Sequence, residues 1–239
     1  MQKGKYAHLV PVLAAALALS GIGHAVTPNV RGRITGQDKL LPEVYAEAAK
    51  PDAHRWTWRE PSPAVEAKFR VLSANLSRDV CVAATTAQTA APHEAVLLKI
   101  SGGRIVPTTI AVSPKTKLVL KNVDPFPHKP FIVGNKTFAA EAIAPNALRE
   151  WTAPDGGGRY ELRDELFPSV RTFVVVDPQV VAVAYPGRDG GFAFALPAGD
   201  YVLKAFFGGK RVGKGVSAVA KDRGTFELKE PLNLGEGGD

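Results

Sequence analysis

Short apolar runs, many with a period of two and bounded by Gly, Pro or polar turn residues, recur from Val30 to Leu228, and they constrain this chain more than any single motif. Val30-Arg-Gly-Arg-Ile-Thr-Gly36, Val65 to Leu72, Asp79 to Thr86, Ala95-Val-Leu-Leu-Lys-Ile100, Ile105 to Val112, Lys117-Leu-Val-Leu-Lys-Asn122, Thr172-Phe-Val-Val-Val176, Val180-Val-Ala-Val-Ala-Tyr185 and Tyr201-Val-Leu-Lys-Ala-Phe206 all read as strands. Successive side chains of a strand point to opposite faces, so runs of this kind bury one face and wet the other. One segment breaks the pattern. Leu41-Pro-Glu-Val-Tyr-Ala-Glu-Ala-Ala-Lys50 has Pro near its start and an Ala/Glu body, which suits one short N-terminal helix ending before Pro51. The expected fold class is all-β, a mostly antiparallel β-sandwich in two tandem parts.

The first 25 residues read as an export signal. Lys3 and Lys5 form a basic start, Leu9 to Leu19 is apolar, and Gly23-His24-Ala25 supplies small residues at a cleavage spacing. The apolar run is shorter than the roughly 20 residues a bilayer span needs, so no stable transmembrane segment is expected after cleavage. The mature chain then starts at Val26 and is periplasmic or secreted. Its one cysteine, Cys81, rules out an internal disulfide, so stability must come from the core. In Asp79-Val-Cys81-Val-Ala the thiol falls on the apolar side of a strand and is expected to be buried and inert. The formal charge of +7 drops to +5 without the two leader lysines. Lys204, Lys210, Arg211 and Lys214 form the densest basic cluster, around Gly208-Gly209, and read as a solvated hairpin tip. Nothing resembles a nucleic-acid-binding signature, so no nucleic-acid partner is expected.

Asp124-Pro-Phe-Pro-His-Lys-Pro130 carries three prolines in seven residues and is therefore a rigid loop with His128 inside it. His128 is expected to bond to backbone or solvent. His54-Arg-Trp-Thr-Trp-Arg-Glu-Pro-Ser-Pro63 is the most unusual local composition. On a strand Trp56 and Trp58 share one face, either as core anchors or as an aromatic platform for a glycan or peptide with Arg59 beside it. Catalytic residues are not expected: the chain has no G-x-S-x-G elbow, no His-Glu-x-x-His helix and no phosphate-cradling glycine loop.

Lys117 to Val176 resembles the metal-binding half of a cupredoxin domain, of the plastocyanin or methylamine-utilisation kind. The landmarks are the strand ending Asn122-Val-Asp124, then His128, then Asp164-Glu-Leu-Phe167-Pro168-Ser-Val170 before the Val-rich strand to Val176. Upstream, Ile105-Val-Pro107-Thr-Thr-Ile110-Ala-Val112 is similar to a segment that precedes the Asn-bearing strand in such sequences. In the family the corresponding pattern is a first His and then C-x-x-H-P-x-M. His128 matches, whereas Asp164 stands for the Cys, Phe167 for the His and Val170 for the Met. A blue-copper site needs a thiolate and two imidazoles, so the resemblance implies a cupredoxin-like Greek-key sandwich without copper or other cofactor, with His128 and Asp164 as vestigial metal candidates. Downstream, Asp189-Gly-Gly-Phe-Ala-Phe194-Ala-Leu-Pro197-Ala-Gly199-Asp-Tyr201-Val-Leu203 resembles a transthyretin-like or carboxypeptidase-regulatory-like unit.

The expected layout is a signal peptide at 1–25, an N-terminal extension at 26–94, a cupredoxin-like domain at 95–177, a transthyretin-like β unit at 178–230 and a mobile tail at 231–239. Whether 26–94 joins the cupredoxin-like sandwich stays open. The expected function is that of an exported, non-catalytic binding or structural module facing an envelope protein or glycan. Two alternatives remain: a periplasmic copper-binding or electron-transfer protein with an atypical site, and a carbohydrate or cell-wall binding module.

Overall fold

The computed structural model describes residues 29–41 and 74–235, where nearly every ordered element is a strand. In chain order these are β1 (Val30–Thr35), β2 (Val80–Thr85), β3 (Val96–Ser101), β4 (Arg104–Ile105), β5 (Thr109–Val112), β6 (Lys117–Asn122), β7 (Pro130–Ile132) and β8 (Leu148–Thr152). There follow β9 (Gly158–Asp164), β10 (Arg171–Val176), β11 (Val180–Ala184), β12 (Gly191–Phe194), β13 (Gly199–Phe207), β14 (Lys210–Ala220), β15 (Phe226–Glu227) and β16 (Leu232–Asn233). One turn of α-helix, Leu76–Asp79, leads into β2. The leader, the expected helix beyond Leu41, the expected strand Val65 to Leu72, and Trp56, Trp58 and Arg59 lie outside the described residues. No helix among the described residues is long and apolar enough to cross a membrane.

The strands form four four-stranded sheets, and three apolar layers hold the sheets together. In the central sandwich, β4-β3-β6-β8 faces β5-β10-β9-β7. Alternate residues supply its core: Leu98 and Ile100 from β3, Leu118 and Leu120 from β6, Trp151 from β8, Leu162 from β9, Val174 and Val176 from β10. Pairing is antiparallel except for two parallel pairs, β3–β6 and β5–β10. Parallel neighbours need a crossover, and here the crossovers pass over the ends of the sandwich and bring the 101–104, 124–130 and 164–170 loops together.

The flanking sandwich pairs β11-β2-β13-β14 with β12-β1-β15, and β16 also adds to β1. Its core centres on Val30, Val82, Phe194, Leu203 and Leu232. Strands β1 and β2, which precede the central sandwich in sequence, thus complete a sandwich whose other strands follow it. The segment expected to be a mobile tail from Pro231 is ordered at its start. Leu232 is fully buried, because β16 pairs in parallel with β1 and drops that side chain into the core. At the expected hairpin tip, Gly208 and Gly209 turn β13 into β14, and Lys204 is held back by Gln179 (3.1 Å) and Asp177 (3.5 Å).

The sandwiches meet across a seam of Cys81, Ala83, Ala111, Val175, Val180 and Phe206. All six residues of β2 are buried. Val80, Val82 and Ala84 enter the flanking core, while Cys81 and Ala83, small enough for two sheets to approach, enter the seam. The strand therefore has two apolar faces where alternation suggested one.

Candidate functional site

The loops at one end of the central sandwich converge on a buried imidazole. Asn122, the last residue of β6, is fully buried and organises the Pro-rich loop. Its Oδ1 accepts from the Asp124 amide (2.9 Å), and its Nδ2 donates to the carbonyls of Phe126 (2.8 Å) and Ile143 (3.0 Å). His128 exchanges backbone hydrogen bonds with Ile143 in both directions, at 3.1 and 2.7 Å. With its backbone clamped and its neighbours restricted by proline, the His128 ring is held inside the fold with no exposed surface.

Each ring nitrogen meets a carboxylate. Nε2 lies 3.0 Å from Oδ2 of Asp124, and Nδ1 lies 3.2 Å from Oδ2 of Asp164. Two ionised carboxylates at these positions are both satisfied only by an imidazole that carries a proton on each nitrogen. The carboxylates are themselves filled by backbone donors. Asp124 Oδ1 accepts from the Gly102 amide (2.6 Å) and Oδ2 from the Gly103 amide (2.9 Å). Both glycines have positive φ, +58° and +64°, the left-handed conformation that turns two successive amides toward one carboxylate. Asp164 Oδ2 accepts from the Lys129 amide (2.8 Å), and its Oδ1 from the amides of Leu166 (2.8 Å) and Phe167 (2.9 Å). Five amides from three loops thus supplement the one imidazole in balancing two buried carboxylates.

The pKa of Asp124 follows from this competition. Burial by itself raises it, but the Gly103 and Gly102 amides and the neighbouring His128 outweigh burial and hold it below the ordinary carboxylate range. Aromatic side chains wall the cluster. Phe126 and Phe167 stack at 4.8 Å between ring centroids, and His128 lies against both, at 5.3 and 4.7 Å. Ser169 ties the 164–170 loop to the turn between β3 and β4 by donating to the Gly103 carbonyl (2.7 Å).

The structure therefore brings His128 and Asp164 together, with Phe167 against the ring and Val170 fully buried nearby in the core. It corrects the expectation for His128, whose ring bonds to neither backbone nor solvent but to two acids. Asp124 is the functional residue that sequence reasoning missed. It was read as part of a strand-end landmark, and the signal for its role was the coincidence of Asn-x-Asp with a Gly-Gly turn some twenty residues upstream.

A copper ion does not fit this donor set. Both imidazole nitrogens are engaged, the carboxylate oxygens are spent on amides and the imidazole, and Phe167 and Val170 carry no donor atom. Among the described residues no group of three or more His, Cys, Asp or Glu side chains is arranged to hold a metal ion. The thiol a blue-copper centre requires is in the seam. Cys81 is fully buried there, and burial pushes its pKa up to about 12 despite hydrogen bonds with the Ala111 backbone and the Tyr185 side chain.

No family model matches the chain, and no curated protein sequence does. Among solved structures, a Cu-containing nitrite reductase from Thermus scotoductus SA-01 is similar over 34% of this chain and 22% of its own, at 15% identity and a TM-score of 0.31. This chain therefore spans about a fifth of that enzyme. Amicyanin from Paracoccus versutus aligns over 40% of this chain and 97% of its own, with 15% identity and a TM-score of 0.32. A purple cupredoxin from Nitrosopumilus maritimus aligns over 34% and 99%, with 16% identity and a TM-score of 0.31. The architecture of this chain is an all-β sandwich, with β3–β6 and β5–β10 as parallel pairs in the facing sheets of its central part.

Proposed function

We propose that this chain is an exported, non-catalytic β-sandwich protein that acts as a binding or structural module in the cell envelope, and that its cupredoxin-like end is closed by an acid–imidazole–acid cluster in place of a metal. The observation that carries this reading is the saturation of the cluster: each ring nitrogen of His128 faces a carboxylate, and each carboxylate is filled by amides of neighbouring loops. A site built this way has no open coordination position and no exposed acid or base for catalysis. What it does is pin three loops to one another, which is the mechanical service a bound ion performs in a metal site. The flanking sandwich, whose 178–230 part is read as a transthyretin-like unit, adds a second rigid body, so loops and sheet edges are presented from a stiff frame. The basic, apolar leader supports export to the periplasm or beyond.

Calorimetric titration of the purified protein with Cu(II) and with Cu(I), alongside its visible spectrum, tests the metal-free reading. The expected result is no stoichiometric uptake and no thiolate-to-copper band. Stoichiometric submicromolar uptake abolished by His128→Ala would overturn it. Cell fractionation with and without residues 1–25 tests export, and retention of the intact chain in the cytoplasm contradicts the envelope role.

A further inference from the structure

Sheet edges are templates for further strands, and proteins ordinarily blunt them with charge, proline, brevity or cover. Most edges here carry such a device. β4 has two residues, one of them Arg104, and β7 has three and begins with Pro130. β8 carries Arg149 and Glu150, and β14 carries Lys210, Arg211 and Lys214. β5 is buried along its whole length. β12 is closed at its start, where the Gly191 carbonyl accepts from the Gly187 amide and the Gly191 amide donates to Asp189.

β11 is less protected: it bulges at Val181 where it pairs with β2, and His93 covers only its start. Its sequence, Val180-Val-Ala-Val-Ala184, contains no charge and no proline, and Val181 to Ala184 are all partly exposed. Among the described residues, β2 is the one strand that bonds β11. Beside it runs an open groove of about 460 Å³ between Ala90–Glu94 and Val181–Ala182. His93 covers the start of the edge by bonding to the Val180 carbonyl (3.0 Å) and leaves the rest open.

We propose that this edge pairs with the same edge of a second copy of the chain, antiparallel about a two-fold axis, joining two four-stranded sheets into one of eight. The charges at its two ends select this occupant. Glu94 lies at the β11 start, and Arg188 lies in the turn just past its end. Both are exposed, and neither makes an ion pair among the described residues. A two-fold axis sets the start of one β11 against the end of the other, so Glu94 of each copy faces Arg188 of the other twice over. The same operation is what an isologous interface requires, one patch complementary to itself. This inference does not depend on the metal-free reading of the central sandwich, since the two regions lie in different sandwiches.

Sedimentation of the purified protein between about 1 and 200 µM tests it. The expected result is a reversible dimer. Glu94→Arg and Arg188→Glu each weaken it about tenfold by replacing two attractions with two repulsions, and the double reversal restores it. Both positions are exposed, so circular dichroism and melting temperature are expected to stay unchanged in all three variants. A wild-type protein that remains monomeric throughout the range overturns the proposal. So do single reversals that leave the dissociation constant unchanged, or a double reversal that fails to recover it.

Discussion

The two sandwiches have similar strand numbers and different ways of staying closed. The central one is built from one continuous stretch, Val96 to Val176, and carries at one end a buried charge cluster that cross-links its loops. The flanking one is assembled from segments far apart in sequence around an apolar core. Its polar fastenings lie outside that core: Asn29 donates to the Leu196 carbonyl and accepts from the Leu196 amide, the Tyr201 hydroxyl donates to the Pro197 carbonyl, and the ion pairs Arg33–Asp189 and Lys204–Asp177 keep some exposure to solvent. Contiguous strands leave long end loops that need a fastener, whereas strands gathered from both ends of the chain fasten themselves by their pairing.

The sharpest way to break this comparison is to remove one acid from the cluster. Asp164→Ala strips the acceptor from three amides and one imidazole and leaves Asp124 and His128 as an incomplete set in a dry site. A loss of about 3–5 kcal/mol is expected, the usual cost of breaking a buried ion pair from one side. Urea unfolding followed by circular dichroism measures it. A loss below about 1 kcal/mol, the range of exposed ion pairs, means that water replaces the carboxylate and that the cluster is not a fastener.

In the flanking sandwich the corresponding weak point is backbone geometry. Gly213 in β14 has φ +71°, and a Cβ added there runs into the Asn233 carbonyl of β16. Because the obstacle is backbone, Gly213→Ala is expected to cost about 2–3 kcal/mol, combining a strained φ with displacement of β16. The same unfolding experiment measures the cost, and methyl NMR locates it. Shifts confined to Leu232 and its neighbours support the division between the sandwiches, and shifts spread to Leu118 and Leu120 contradict it.

How far this division was visible in the sequence follows from the same contrast. The strands of the central sandwich are adjacent in the chain, so period-two runs and turn residues revealed them in order. β1 and β2 were read as strands, but their partners, such as Phe194 for Val30 and Val202 for Thr85, are more than a hundred residues away, and no local pattern announces such a pairing. The candidate site was half visible. His128 and Asp164 stood at recognisable positions, yet a loop with three prolines reads as exposed, and nothing in it reports that two acids and five amides close over the ring. Asp124 was missed because its partners Gly102 and Gly103 lie across a turn between other strands.

Titration separates the sandwiches with smaller effects. Asp124 and Glu161 both belong to the central one and both have lowered pKa values. Burial raises each, but the Gly103 and Gly102 amides with His128 overcome it at Asp124, and Arg163 and Arg171 overcome it at Glu161. A carboxylate with a folded pKa below its unfolded value contributes stability that is present above the unfolded pKa and lost as pH falls through the folded one. Tyr201 in the flanking core and Cys81 in the seam are shifted upward by burial, Cys81 to about 12. For these the folded state keeps its proton longer, so stability is full below the unfolded pKa and falls as pH rises toward the folded one. Acid is therefore expected to disturb the methyl signals of Leu118 and Leu120 first, and alkali those of Leu203 and Leu232. Simultaneous loss at both extremes would show that the seam couples the two bodies into one cooperative unit.

The smallest test isolates the turn that aims two amides at Asp124. Gly102 has φ +58°, and nothing lies within 4 Å of a Cβ built there. Gly102→Ala therefore adds no clash, and its expected cost of about 1 kcal/mol comes from the left-handed conformation alone. If the turn holds, the Gly102 amide still donates to Asp124, and the acid transition of the central sandwich stays at the wild-type pH while overall stability drops. If the turn instead relaxes to negative φ, Asp124 loses an amide that keeps its pKa low, and the acid transition moves to higher pH. The first result is the expected one, because Asp124 is also bound by the Gly103 amide and by His128, and these hold the carboxylate in place. The second would mean that the cluster depends on the turn more than the turn depends on the cluster.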